Sequence, residues 1–251
     1  MNSKKKRTPP PRGAVKTNRT MELIDSPTEQ TTAITDLILA VFSFGCALSV
    51  RRRRTADPWK ATLWAWAFGL LSLASALGAA AHGLTLSPAA HRLLWLPLNM
   101  ALGLVIALFV VGAIYDLWGL RVARRLLPIL IAVGLAFFAF AQIITGTFSV
   151  FLIYEGVAMF LALIIYIRIA RNRSRPGAKL MVAGVLITII AAVFQANRNI
   201  ELTLFWTFDH NGVFHLIQMT ALVALVAGLR AALETVPEAS RLSRRVPPDE
   251  P

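Results

Sequence analysis

The chain has 251 residues, of which 56% are hydrophobic and only 16% charged, and 26 Lys and Arg against 13 Asp and Glu give a net charge of +13. Soluble domains carry closer to a quarter charged residues, and the apolar residues here run in blocks near the roughly 20 needed to cross a bilayer as a helix. These features exclude an ordinary soluble domain. They also exclude nucleic-acid binding as the reason for the charge, because the cations lie in the tails and between the apolar blocks.

In chain order, residues 1–31 open with a basic run and three consecutive prolines. No apolar core follows those cations for roughly 25 residues, so this stretch reads as a disordered tail and not as a cleavable signal. Seven apolar blocks follow, at 32–50, 59–84, 94–117, 126–145, 148–170, 178–196 and 212–233. None alternates apolar and polar residues as barrel strands do, and lipid obliges backbone groups to pair within the segment. The expectation is an all-α, polytopic seven-helix transmembrane domain over 32–233, with a disordered tail at 234–251. Cys46 is the single cysteine, which excludes an intrachain disulfide.

Threading the seven blocks alternately defines two faces, side A at the start of the first block and side B opposite. Side B collects Arg51 to Arg54, Lys60, Arg121, Arg124, Arg125, Arg171, Arg173, Arg175 and Lys179. The positive-inside rule makes B cytoplasmic, with the N-terminus outside and the C-terminus inside. Membrane lipids are the expected surroundings, and the arginines would meet anionic headgroups. A homo-oligomer or a membrane complex with an unknown partner is also compatible with the chain.

The intramembrane polar residues gather toward A. Asp36, His82, Asn99, Gln142, Glu155, Gln195, His210, His215 and Gln218 all fall there under alternate threading. Ionisable groups inside a bilayer are costly and face a bundle interior or a wet cavity. One shared cavity opening at A is therefore expected, although Asp209 or Asn211 could simply cap the seventh helix. Three histidines of this set, His82, His210 and His215, could form a three-imidazole zinc site with one open position. His210 and His215 are five apart, hence about 140° apart on a regular helix. They converge only if His210 precedes the helix.

A helix-two histidine, a histidine pair opening helix seven, seven spans and this polarity resemble the alkaline ceramidase and adiponectin-receptor superfamily of membrane hydrolases. The chain is also similar to bacterial seven-helix proteins with an HN-x-x-x-H start to helix seven. The resemblance implies zinc held by His82, His210 and His215, hydrolysis of a lipid amide or ester, and residence in a bacterial inner membrane. The chain departs from the superfamily in two roles. Gly78 stands where a serine precedes the helix-two histidine by four, and Asn99 is the nearest polar residue to the expected helix-three aspartate. Glu155 is then the candidate base, or a fourth ligand, and Asn99 or Gln218 the candidate oxyanion donor. Two further functions fit the same residues. One is a non-catalytic lipid- or ligand-binding or structural membrane protein, with the polar cluster as a plug. The other is a small transporter with Glu155 and His215 carrying protons.

Overall fold

A computed structural model describes residues 22–143, 147–172 and 175–234. It contains α1 (Pro27–Arg51), α2 (Pro58–Gly83), α3 (Pro88–Trp118), α4 (Leu120–Ile143), α5 (Thr147–Arg171), α6 (Ala178–Ala196), β1 (Glu201–Thr203), β2 (Thr207–Asp209) and α7 (His210–Glu234). All seven helices are long and apolar enough to span a membrane. The protein is an all-α, seven-helix integral membrane bundle.

The helices begin before the apolar blocks do, for a reason written in three dipeptides. Ser26, Asp57 and Ser87 each precede a proline, and each side chain accepts the backbone N–H three residues on, at 3.5, 3.0 and 3.2 Å. An N-cap side chain satisfies an orphan donor, and proline at the first helical position loses nothing by lacking its own N–H. Hydropathy marks only the part of a helix that lies in lipid. Residues 22–31, expected to belong to the disordered tail, are therefore corrected. Ile24 N–H donates to the Gly83 carbonyl at 3.1 Å, Thr85 N–H to that of Glu22 at 2.9 Å, and α1 starts at Pro27. Residues 1–21 and 235–251 of the expected tails lie outside the described residues.

The bundle closes as a ring of six helices. α1 packs on α2, α2 on α3, α3 on α5, α5 on α6, α6 on α7, and α7 back on α1. α4 stands outside this ring, packed on α3 and only lightly on α5. The α3–α4 seam is held close by Gly103 and Gly134, where a Cβ on either would sit 2.8 Å from the other's carbonyl oxygen. Small residues of this kind let backbones approach in membranes, where apolar burial from water contributes little between helices. Gly119, at φ +82°, makes the sharp turn between α3 and α4. Its left-handed conformation is one that glycine adopts without steric cost.

The B half of the ring is a packed core around Trp64, Phe109, Tyr166 and Leu229. Lys60, a side B cation and the second residue of the second apolar block, is buried. It lies in the first turn of α2, with Nζ 2.5 Å from Asp116 Oδ1 of α3. Tyr166 of α5 donates to Asp116 Oδ2 at 3.2 Å, so one ion pair ties three helices. A feature outside the expected pattern is the antiparallel hairpin β1–β2 on side A. Its register sets Glu201 opposite Asp209 and delivers the chain to the start of α7.

Candidate functional site

Inside the ring lies a cavity of about 1000 Å³, lined by residues from all seven helices. Six of its polar residues form a layer, one from each ring helix: Asp36, Ser75, Asn99, Glu155, Thr188 and Gln218. Each lies eight to eleven residues from the A end of its helix, about 12 to 17 Å deep at 1.5 Å per residue. Above this belt, toward A, are His82, Arg92, Arg198 and His210. Below it the walls become apolar, with Leu39, Phe68, Ile106, Met159 and Leu225, and Trp64 and Phe109 near the B end. The cavity is thus polar at its mouth and waist and apolar at its foot.

The belt is asymmetric in how its polar groups are partnered. Asp36 and His215 are matched to each other. His215 Nε2 lies 3.4 Å from Asp36 Oδ1, and Nδ1 lies 2.9 Å from Thr35 Oγ1. Thr35 gives its only hydroxyl proton to the Thr32 carbonyl one turn back, at 2.9 Å. Its oxygen must therefore accept from an Nδ1–H, which leaves Nε2 facing the Asp36 carboxyl at 3.4 Å. Gly78 makes this pair possible. A Cβ there would stand 2.5 Å from Asp36 Oδ2, so glycine at the position where the resemblance expects serine is the space that the carboxyl occupies.

The other half of the belt has open valences. Among the described residues, six buried side-chain atoms lack a hydrogen-bond partner, and five of them belong to cavity-lining residues: Trp64 Nε1, Glu155 Oε2, Thr188 Oγ1, Gln195 Oε1 and Gln218 Oε1. A buried polar atom left unmade costs about 1–3 kcal/mol. Three of the five, on Glu155, Thr188 and Gln218, lie in the belt, and buried polar groups are rarely left without a partner. Glu155 is 7% exposed, and none of the ion pairs among the described residues includes it.

The expected site residues share this cavity without forming the expected metal centre. His82, His210 and His215 all line it. Yet His82 Nδ1 is 2.6 Å from Glu29 Oε2, and both nitrogens of His215 are engaged. His210 is the first residue of α7 rather than a residue ahead of it, with Nδ1 3.8 Å from Asp209 Oδ2. Among the described residues no group of three or more His, Cys, Asp or Glu is spaced to hold a metal. The donor set as arranged does not fit zinc. Asp209 caps α7, accepting from Gly212 N–H and from the Thr32 hydroxyl, both at 2.8 Å. Gln142 borders the cavity from α4 but is exposed and bonded to its own helix, at the Phe138 carbonyl, 3.4 Å away.

A family model matches residues 31–234, from the first turns of α1 to the end of α7. The chain belongs to this family of unknown function, DUF6962. The matched segment contains the hairpin, every residue of the belt and all of the ring except residues 27–30 of α1. No curated protein and no solved structure matches the chain.

The residues that the sequence reading underused are Asp36 and Thr35. Asp36 is the only Asp, Glu, Lys or Arg between residues 30 and 50. A lone carboxylate in a membrane block is a signal strong enough to place it at a site beside Glu155. Thr188 and Trp64 carried no comparable signal, since Thr and Trp are ordinary in membrane helices.

Proposed function

We propose that this family member binds a small amphiphile in the ring cavity, with the polar part at the belt and the apolar part toward the foot on side B. The observation that supports this most directly is the set of five unpartnered buried polar atoms on cavity-lining residues. Ligand sites are typically concave and mostly apolar, with a few convergent polar groups, and have volumes of roughly 300–1,000 Å³. Side A offers the entrance, since the polar mouth residues His82, Arg92 and His210 lie there. With the arginine-rich B face in the cytoplasm, as the positive-inside rule directs, the ligand arrives from the outer leaflet or from outside the cell.

The test is binding to protein reconstituted in lipid nanodiscs. A fluorescent single-chain amphiphile should bind saturably, at about one per chain as a single cavity demands. Ser75→Trp and Leu222→Trp, which fill the cavity at waist and foot, should each abolish the saturable component. Partitioning identical to that of empty nanodiscs would overturn the reading.

Zinc-dependent lipid hydrolysis is the second reading, favoured by the shared placement of His82, His210 and His215 around one cavity. It requires those histidines to leave their present partners. Metal analysis of purified protein separates the two: about one zinc per chain, lost in His215→Ala, is what a three-histidine site demands. Metal-free folded protein that still binds the amphiphile supports the binding reading.

A further inference from the structure

We infer that the polar part of the bound amphiphile is an amine, held by Glu155. This rests on the binding reading above and concerns the chemistry of the ligand at that same cavity.

The two carboxyls of the belt differ in one respect. Asp36 is matched by His215, whereas Glu155 keeps Oε2 buried without a partner. The other open atoms are mostly acceptors as well. Gln218 Oε1 and Gln195 Oε1 can only accept, the Thr188 hydroxyl can do either, and Trp64 Nε1 alone must donate. Trp64 stands far below the belt, 19 residues from the A end of α2. Gln195 lies one residue from the A end of α6, so at the level of Glu155 the open atoms besides its own are Gln218 Oε1 and Thr188 Oγ1, and donors complete them. A hydroxyl brings one proton and a carboxylate none, while a protonated amine brings two or three and a positive charge. A carboxylate in a membrane interior is best completed by such a cation, since neither group is then left uncompensated in a low dielectric. The ammonium would bridge Glu155 with Gln218 and Thr188, which share its depth on α7 and α6. Asp36, in contrast, already faces His215 Nε2 at 3.4 Å. The apolar foot, bounded by Met159, Leu222 and Leu225, takes the chain.

Three probes of equal length decide it: n-dodecylamine, n-dodecanol and dodecanoate, each titrated into the full protein in zwitterionic nanodiscs with empty-nanodisc values subtracted. The amine should bind about tenfold or more tighter than the alcohol, as a charge-assisted hydrogen bond implies, and dodecanoate should bind weakest. Glu155→Gln, nearly isosteric, should bring the amine to within about twofold of the alcohol, because it removes the charge and replaces one acceptor oxygen with a donor NH2. Glu155→Asp should restore part of the preference. Equal binding of amine and alcohol to the unaltered protein would overturn the inference, as would an undiminished preference in Glu155→Gln. Either result leaves the cavity reading standing, whereas saturable binding of none of the three would end both. Should Glu155→Gln fail to fold, the ranking of the three probes on the unaltered protein still decides.

Discussion

The two ends of the bundle use the same chemistry to opposite ends. On side B, Lys60 and Asp116 form a buried ion pair, Tyr166 bonds the same carboxylate, Tyr115 donates to Asp57, and Arg53 pairs with Glu234. These B-side groups close on one another, while Trp64 Nε1 and Ser43 Oγ in the same half of the bundle lack partners. On side A, Glu155, Gln218, Thr188 and Gln195 are equally buried, but they face a cavity with atoms left unmade. A polar group inside a membrane protein thus gives little away by its type or burial alone. Whether its partners lie within the chain decides whether it holds the fold or waits for a ligand.

That contrast can be broken most sharply at Asp116. Removing one member of a buried ion pair strands the other, at a cost of about 3–5 kcal/mol. Asp116→Ala should therefore lower the thermal midpoint in nanodiscs by more than any other substitution proposed here. Lys60→Met combined with Asp116→Leu removes both charges and should recover most of the loss. Equal losses in single and double variants would mean that the pair is not a closed unit.

A smaller effect is expected where the two behaviours meet, at Gly78. Gly78→Ser sets a side chain against Asp36 and should cost about 1–3 kcal/mol, the usual range for overpacking. The imidazole resonances of His215 should shift as its carboxyl partner is displaced. Unchanged resonances would show that the carboxyl has room elsewhere. Thr35→Val removes the Nδ1 partner and the hydroxyl's bond to the Thr32 carbonyl and should cost about 1–2 kcal/mol. It should also redistribute the tautomers of His215, read by nitrogen-15 shifts.

The smallest expected change, and the one of opposite sign, is at Glu155. Replacing an unmade buried polar group by an apolar one is close to neutral or stabilising. Glu155→Leu should hold or raise the thermal midpoint while removing amine binding. A loss comparable to that of Asp116→Ala would assign Glu155 to the fold and erase the difference between the two ends.

How much of this was legible follows from what each signal measures. Hydropathy reports length in lipid, so it found seven helices and missed their first turns, which Ser26, Asp57 and Ser87 set with their prolines. Alternate threading fixes side, so it put Asp36, Glu155, His215 and Gln218 toward A and anticipated the cavity. It carries no information on rotation about a helix axis. The pairing of His215 with Asp36, of His82 with Glu29, and of Lys60 with Asp116 was therefore out of reach. The imidazole triad was read without them. Three histidines at one end of a bundle look like a ligand set until the carboxylates beside them are placed. The hairpin was hidden for another reason: three-residue strands leave too short a pattern to read.

α4 was described as standing outside the ring, and it scarcely touches the cavity. Its importance is one of parity. α3 and α5 are neighbours in the ring and both run from A to B, as do α7 and α1, so a single return crossing must be spent between α3 and α5. α4 is that crossing. Were it lost, α5 would enter from B, and Glu155 would stand about 12 Å from the wrong face, among residues that already have their partners. The helix that contributes least to the walls is the one that decides which way the belt faces.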